Sequence, residues 1–127
     1  QSSMIADYNH KLIGKETIEG YSCHKIEMIP KEDAAVVWGK VIIWIDEKEY
    51  MQMKVEFYDE DGYLINTLLG KKPKEFDGKM LPSVMEMIPA DKPGNKTIMT
   101  QNSMKFNIVI DESFFTTRKM KTVTVND

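Results

Sequence analysis

Cys23-His24 is the pair of adjacent residues with the donor types of a metal or nucleophilic site. Thiolate sulfur and imidazole nitrogen suit zinc and copper. Neighbours on an extended strand point to opposite faces, however, so these two cannot grip one ion between them. His10 would have to join from another strand. The expectation is a buried thiol beside a surface imidazole, with no metal. Asp59-Glu60-Asp61-Gly62 has the opening of a calcium loop but lacks the longer acidic ladder and the distal bidentate Glu, so it reads as a hairpin turn. Glu27, Glu56 and Glu86 each stand beside apolar neighbours in strand-like segments. Alternation assigns them to the solvent side rather than to an acid–base pair. The chain has no Gly-x-Ser-x-Gly elbow, no phosphate-cradling glycine loop and no His-Glu-x-x-His. Neither an enzyme nor a bound cofactor is expected.

Two further features are weaker. Asn95-Lys96-Thr97 matches a glycosylation sequon, which has meaning only in a eukaryotic secretory pathway. Lys71, Lys72, Lys74 and Lys79 cluster around two turns; this is a solvated face, or a patch for an anionic membrane or an acidic partner.

The chain is richer in apolar surface than in reactive groups. Met51 to Tyr58 alternates apolar and polar residues without a slip, the signature of a strand with one apolar face. That face is built from Met51, Met53, Val55 and Phe57. Methionine is flexible and polarisable, and it is over-used where a surface must accept varied apolar partners. The chain has 10 methionines. Trp44, Met85 and Met87 are expected on neighbouring strands of the same lining. These seven residues form the candidate lipid-binding face.

The elements that would position them are short strands joined by tight turns. Lys11 to Thr17 and Tyr21 to Ile29 flank the hairpin signal Glu19-Gly20. Gly39 to Asp46 contains the unbroken apolar run Val41 to Ile45, which suggests a strand covered on both faces. Tyr63 to Leu69 follows the Met51 strand, and Gly70 to Pro73 is expected to interrupt or end it. Asp77-Gly78 turns the chain into Met80 to Ile88. Lys96 to Asn102 and Lys105 to Ile110 make a last, bent strand. Asp111-Glu112-Ser113 caps a single helical turn, and Val123-Thr124-Val125 is β-prone. Sequential hairpins of this kind give an antiparallel meander.

Length and charge set the outer bounds. At 127 residues the chain reads as one domain, 1–127. A net charge of −3 leaves no excess of cations to displace the counterions of a nucleic acid. No apolar run approaches the ~20 residues of a membrane-spanning helix. One cysteine excludes an internal disulfide framework.

Taken in order, several short motifs resemble a known family. They are Gly14-x5-Gly20-x2-Cys23-x3-Glu27, Gly39-Lys40-Val41-x2-Trp44-Ile45-Asp46, Glu56-Phe57-Tyr58-Asp59-Glu60-Asp61-Gly62, Leu81-Pro82-x3-Glu86-Met87, and Asn107 with Phe114-Phe115-Thr116. Their order and spacing from about Tyr8 to Met120 resemble the LolA-like outer-membrane lipoprotein-sorting proteins. The resemblance implies a periplasmic bacterial carrier with a strongly curved antiparallel sheet, an unclosed half-barrel. Its concave face holds lipid or lipoprotein acyl chains under a helical lid, and inner- and outer-membrane sorting components are its partners. The match is to the later portion of such proteins, so the first strands and lid helices are expected to be missing from this chain. An uncovered apolar face and an open edge then lead to the expectation of a homodimer, with Val123 to Val125 or the segment around Met4-Ile5 exchanged between copies. The alternative is a non-enzymatic protein–protein interaction module of an envelope complex, docking through its sheet edge.

Overall fold

The computed structural model describes residues 7–100. Seven strands lie in one antiparallel sheet in strict chain order: β1 (Tyr8–Ile18), β2 (Tyr21–Pro30), β3 (Lys40–Asp46), β4 (Gln52–Tyr58), β5 (Leu64–Phe76), β6 (Lys79–Pro89) and β7 (Thr97–Thr100). Among the described residues the sheet is not closed, and β1 and β7 are its two edges. It is an all-β antiparallel sheet, as the succession of hairpins implies. A single 3-10 turn, Pro93–Asn95, precedes β7.

The turns account for the register. Glu19-Gly20 and Asp77-Gly78 have φ of 51° and 83°, and of 52° and 79°. Two consecutive left-handed residues make the primed turn whose twist matches the flanking strands, and glycine takes the second position without steric cost. At the Asp59 turn, one side-chain oxygen accepts from the backbone of Asp61 and of Tyr63, each at 2.9 Å. The acidic run is thus a hairpin turn with its own cap.

Gly39 is fixed for a different reason. A β-carbon there would lie 2.5 Å from the Asp59 carbonyl oxygen and 2.8 Å from the Glu60 Cα. The entry to β3 therefore presses backbone against backbone beside the β4–β5 turn.

One expectation is corrected here. β5 does not stop at Gly70 to Pro73; it runs on to Phe76. Pro73 faces Pro82 across the ladder, and β4 makes its last pair with β5 at Leu69. No neighbour on that side asks Pro73 for an N–H, so a proline is tolerated inside the strand. β7 is described over Thr97–Thr100, the last of the described residues. The remainder of the last strand, the Asp111 turn, the Val123 tail and the Met4-Ile5 segment lie outside the described residues.

Register shifts at Leu12/Gly14, Trp44/Ile45 and Phe57/Tyr58 mark bulges, which bend the strand and increase its twist. The run Val41–Trp44 is buried along its whole length, as expected for a strand covered on both faces. Apolar side chains collect into two clusters, one on each face.

Candidate functional site

Cross-strand register lays the first cluster out in rows. Ile26, Ile43, Val55, Leu68 and Met87 stand side by side on β2 to β6, and Met28, Val41 and Phe57 form the next row. Met85 pairs with Met99 on β7. Val41, Phe57 and Leu68 are completely buried, while Ile26, Met87 and Met99 form a half-buried margin. Trp38, on the connection before β3, leans over this surface with its ring 5.2 Å from that of Phe57 at a tilt of 39°. Its indole nitrogen is buried without a hydrogen-bond partner among the described residues. Four of the seven residues expected in the lining thus belong together: Val55, Phe57, Met85 and Met87.

The other three do not join them. Trp44, Met51 and Met53 pack with Ile18, Cys23 and Ile42 in the second cluster. Trp44 pairs with Lys25 and Lys54, which puts it on the opposite face from Ile43. Its indole N–H donates to Glu16 Oε1 at 2.8 Å, and the ammonium groups of Lys25 and Lys54 sit 5.2 and 4.7 Å from its ring centre. Stacked cations and an anchored N–H give this tryptophan a structural setting. The alternation of β4 is interrupted where β3 shifts register at Trp44/Ile45, and beyond that shift Met53 and Met51 turn to the second cluster.

Beside the second cluster lies an open cleft of about 880 Å³ between three turns, lined by Tyr21, Met51 and Met80 and rimmed by Glu47 and Glu49. The Ser22 hydroxyl donates to Glu47 Oε2, and Lys15 Nζ approaches Glu47 Oε1 at 3.3 Å. Those two contacts hold the Glu47 carboxyl below the usual carboxylate range.

Among the described residues, the thiol and two of the strand carboxylates are engaged structurally. The Cys23 thiol is completely buried and donates weakly to the Tyr21 carbonyl at 3.4 Å. Burial first, and the nearby Asp46 carboxylate second, push its pKa up, so it stays a thiol and a poor nucleophile. His24 corrects the expectation of a surface imidazole: it is only partly exposed, and its Nδ1 is buried without a partner among the described residues. No group of three or more His, Cys, Asp or Glu among the described residues is placed to hold a metal ion.

Glu86 corrects the expectation that it faces solvent. It is only 6% exposed, with Lys71 Nζ at 3.4 Å and Lys96 Nζ at 3.3 Å. Burial alone would raise its pKa, but the two lysines outweigh burial and hold it low. Glu56 accepts from the Tyr58 hydroxyl at 2.7 Å and lies 3.6 Å from Lys54. Burial and that bond push Tyr58 up to about 12. These are ion-paired, strand-borne carboxylates.

Sequence reasoning missed Met28, Leu68, Met99 and Trp38 in the first cluster. A signal existed in β2, where His24, Ile26 and Met28 share one parity. For Trp38, carried on a loop, there was none.

Comparison with known proteins bears on this arrangement. A family model described as "Uncharacterized protein" matches residues 1–122. No curated protein matches the chain. Among solved structures, a DUF1329 family protein from Desulfovibrio piger ATCC 29098 superposes with a TM-score of 0.62 at 20% identity, over 68% of this chain and 36% of that one. A domain named for outer membrane lipoprotein sorting, from Vibrio parahaemolyticus, gives 0.58 at 23% identity, over 81% and 48%. A LolA superfamily protein from Nitrosomonas europaea gives 0.58 at 22% identity, over 83% and 50%. The likeness is one of fold, and the chain spans half or less of each of these proteins.

Proposed function

Because the chain belongs to the family of that model, described as "Uncharacterized protein", and has the LolA-like fold, we propose that it is a non-enzymatic carrier or binding domain for acyl chains of lipids or lipoproteins. The observation that carries this reading is the pair of apolar rows on one face of an unclosed sheet, with methionines at Met28, Met85, Met87 and Met99 in the same cluster as Phe57. Flexible thioether side chains re-pack around chains of different length and branching. Each acyl methylene moved from water onto this face contributes ~0.8 kcal/mol, so one or two chains are held tightly yet reversibly. The half-buried margin, Met87 and Met99 with Ile26, is the side on which a chain would enter. Residence in the periplasm and exchange with inner- and outer-membrane sorting components follow from the same reading, through the proteins that share the fold.

The test is direct. A fluorescent fatty acid should bind the 127-residue chain in a saturable manner. Met87→Glu, at the margin, should weaken binding at least about tenfold, since a charge must be desolvated to admit the chain. A thermal melt run in parallel keeps a folding defect distinct from a binding defect. Undiminished binding by a folded Met87→Glu chain would remove this face as the site.

A second reading has an observation of its own. Leu12 (61% exposed) and Ile13 (41%) on β1, and Ile98 (56%) on β7, place exposed apolar side chains on both edge strands of the described sheet. Open edges are templates for strand pairing, which supports edge-to-edge association, with another copy or with an envelope protein. For the homodimer the expected result is a scattering mass near twice 14.7 kDa. A monodisperse monomer at crystallisation concentration refutes the dimer.

A further inference from the structure

The β5–β6 hairpin outreaches the rest of the sheet. β4 pairs with β5 as far as Leu69, and the described part of β7 pairs with β6 over Val84 to Met87. Among the described residues, 71–83 therefore pair only with one another, as a two-stranded arm. Lys72, with φ of 52°, marks a bend at its base. Beyond it, Met80 packs against the second cluster, and a β-carbon on Gly70 would lie 2.7 Å from the Pro82 ring. On this hairpin Leu81 and Ser83 are covered and Phe76 and Met80 are half-buried, while Lys74, Glu75 and Lys79 reach solvent.

The arm's charge is opposite to that of the chain. Residues 71–79 hold four lysines against Glu75 and Asp77, a net of +2, whereas the whole chain is −3, which leaves −5 elsewhere. Lys71 is committed to Glu86. Lys72, Lys74 and Lys79 are exposed and have no ion pair among the described residues. Phe76 lies half-buried between them in sequence. Unpaired ammonium groups gathered on one hairpin, with an aromatic ring among them, match a surface of dense negative charge over an apolar interior.

We infer that the exposed lysines of this arm, Lys72, Lys74 and Lys79, dock on an anionic lipid surface, with Phe76 at the headgroup level. The acidic remainder of the molecule is repelled by such a surface, so the contact also orients the protein with the arm toward it. This inference does not rest on acyl-chain binding by the sheet: it concerns other residues and a different assay.

The test is co-sedimentation of the 127-residue chain with vesicles of phosphatidylglycerol and phosphatidylcholine, against vesicles of phosphatidylcholine alone. Pelleting is expected with the anionic vesicles only, and high salt should abolish it. K72E/K74E/K79E should lower the partition coefficient by about tenfold or more, since each juxtamembrane lysine contributes severalfold. K11E/K31E/K92E, which changes the net charge equally at positions off the arm, should retain more of the binding. Circular dichroism confirms that both variants fold. Three results would each overturn the inference: no pelleting with anionic vesicles, equal pelleting with phosphatidylcholine, or equal loss in the two triple variants. An acidic protein partner would appear as the first of these.

Discussion

Phe57→Ala is expected to lower the folding free energy by about 3–5 kcal/mol, enough to unfold most of a marginally stable domain. The side chain is completely buried, stands in register with Val41, and carries the Trp38 ring against it. Removing it deletes the transfer free energy of the ring and leaves a cavity between rigid strands that cannot collapse into it. Trp38 also loses its stacking partner, so its fluorescence should shift to the red as the indole becomes wetter. Chemical denaturation followed by tryptophan emission reads both effects. A loss under about 1 kcal/mol would mean that the first cluster is not the core of the fold. Phe57→Leu, which keeps most of the volume, should cost much less.

Asp46→Ala is the second large effect, at about 3 kcal/mol. The carboxylate is 2% exposed at the end of β3. One oxygen accepts from the Met51 backbone N–H at 2.7 Å, and the other accepts from Lys48 at 3.2 Å and Glu49 at 3.1 Å. It thereby ties down a turn in which Tyr50 takes a left-handed φ of 60°, an uncommon conformation for a tyrosine. Alanine leaves the buried Met51 N–H without its acceptor, while the exposed Lys48 and Glu49 N–H groups recover water. Hydrogen exchange should accelerate most at Met51. Asp46→Asn keeps one oxygen acceptor and should fall between the two. Equal stability of the alanine chain and the parent would show that water replaces the carboxylate throughout the turn.

The fold was readable because its local signals agree. The residues of β4 alternate apolar and polar in sequence, and the Glu19-Gly20 and Asp77-Gly78 turns demand left-handed residues in the right places. The candidate face was only half readable. Val41 to Ile45 is apolar at every position, so nothing in it says which side chain faces which way. Trp44 was assigned to the wrong face on that account. The pairing of Trp44 with Lys54 followed by Ile45 with Gln52 leaves Met53 over, and no composition signal marks such a bulge. Glu86 escaped for another reason: its burial depends on Lys71 and Lys96, brought to it by pairing across β5 and by the turn before β7. Charge on a strand suggests solvent until the partners that cover it are placed.

The strict succession of strands also governs how the sheet is made. Among the described strands, every neighbour in the sheet is a neighbour in sequence, so each strand closes only a hairpin-sized loop, and the chain-entropy cost of each addition stays small. Assembly can follow the order in which the chain is delivered. At every stage the growing sheet presents a single fresh edge, and the strand that arrives next is the one that covers it.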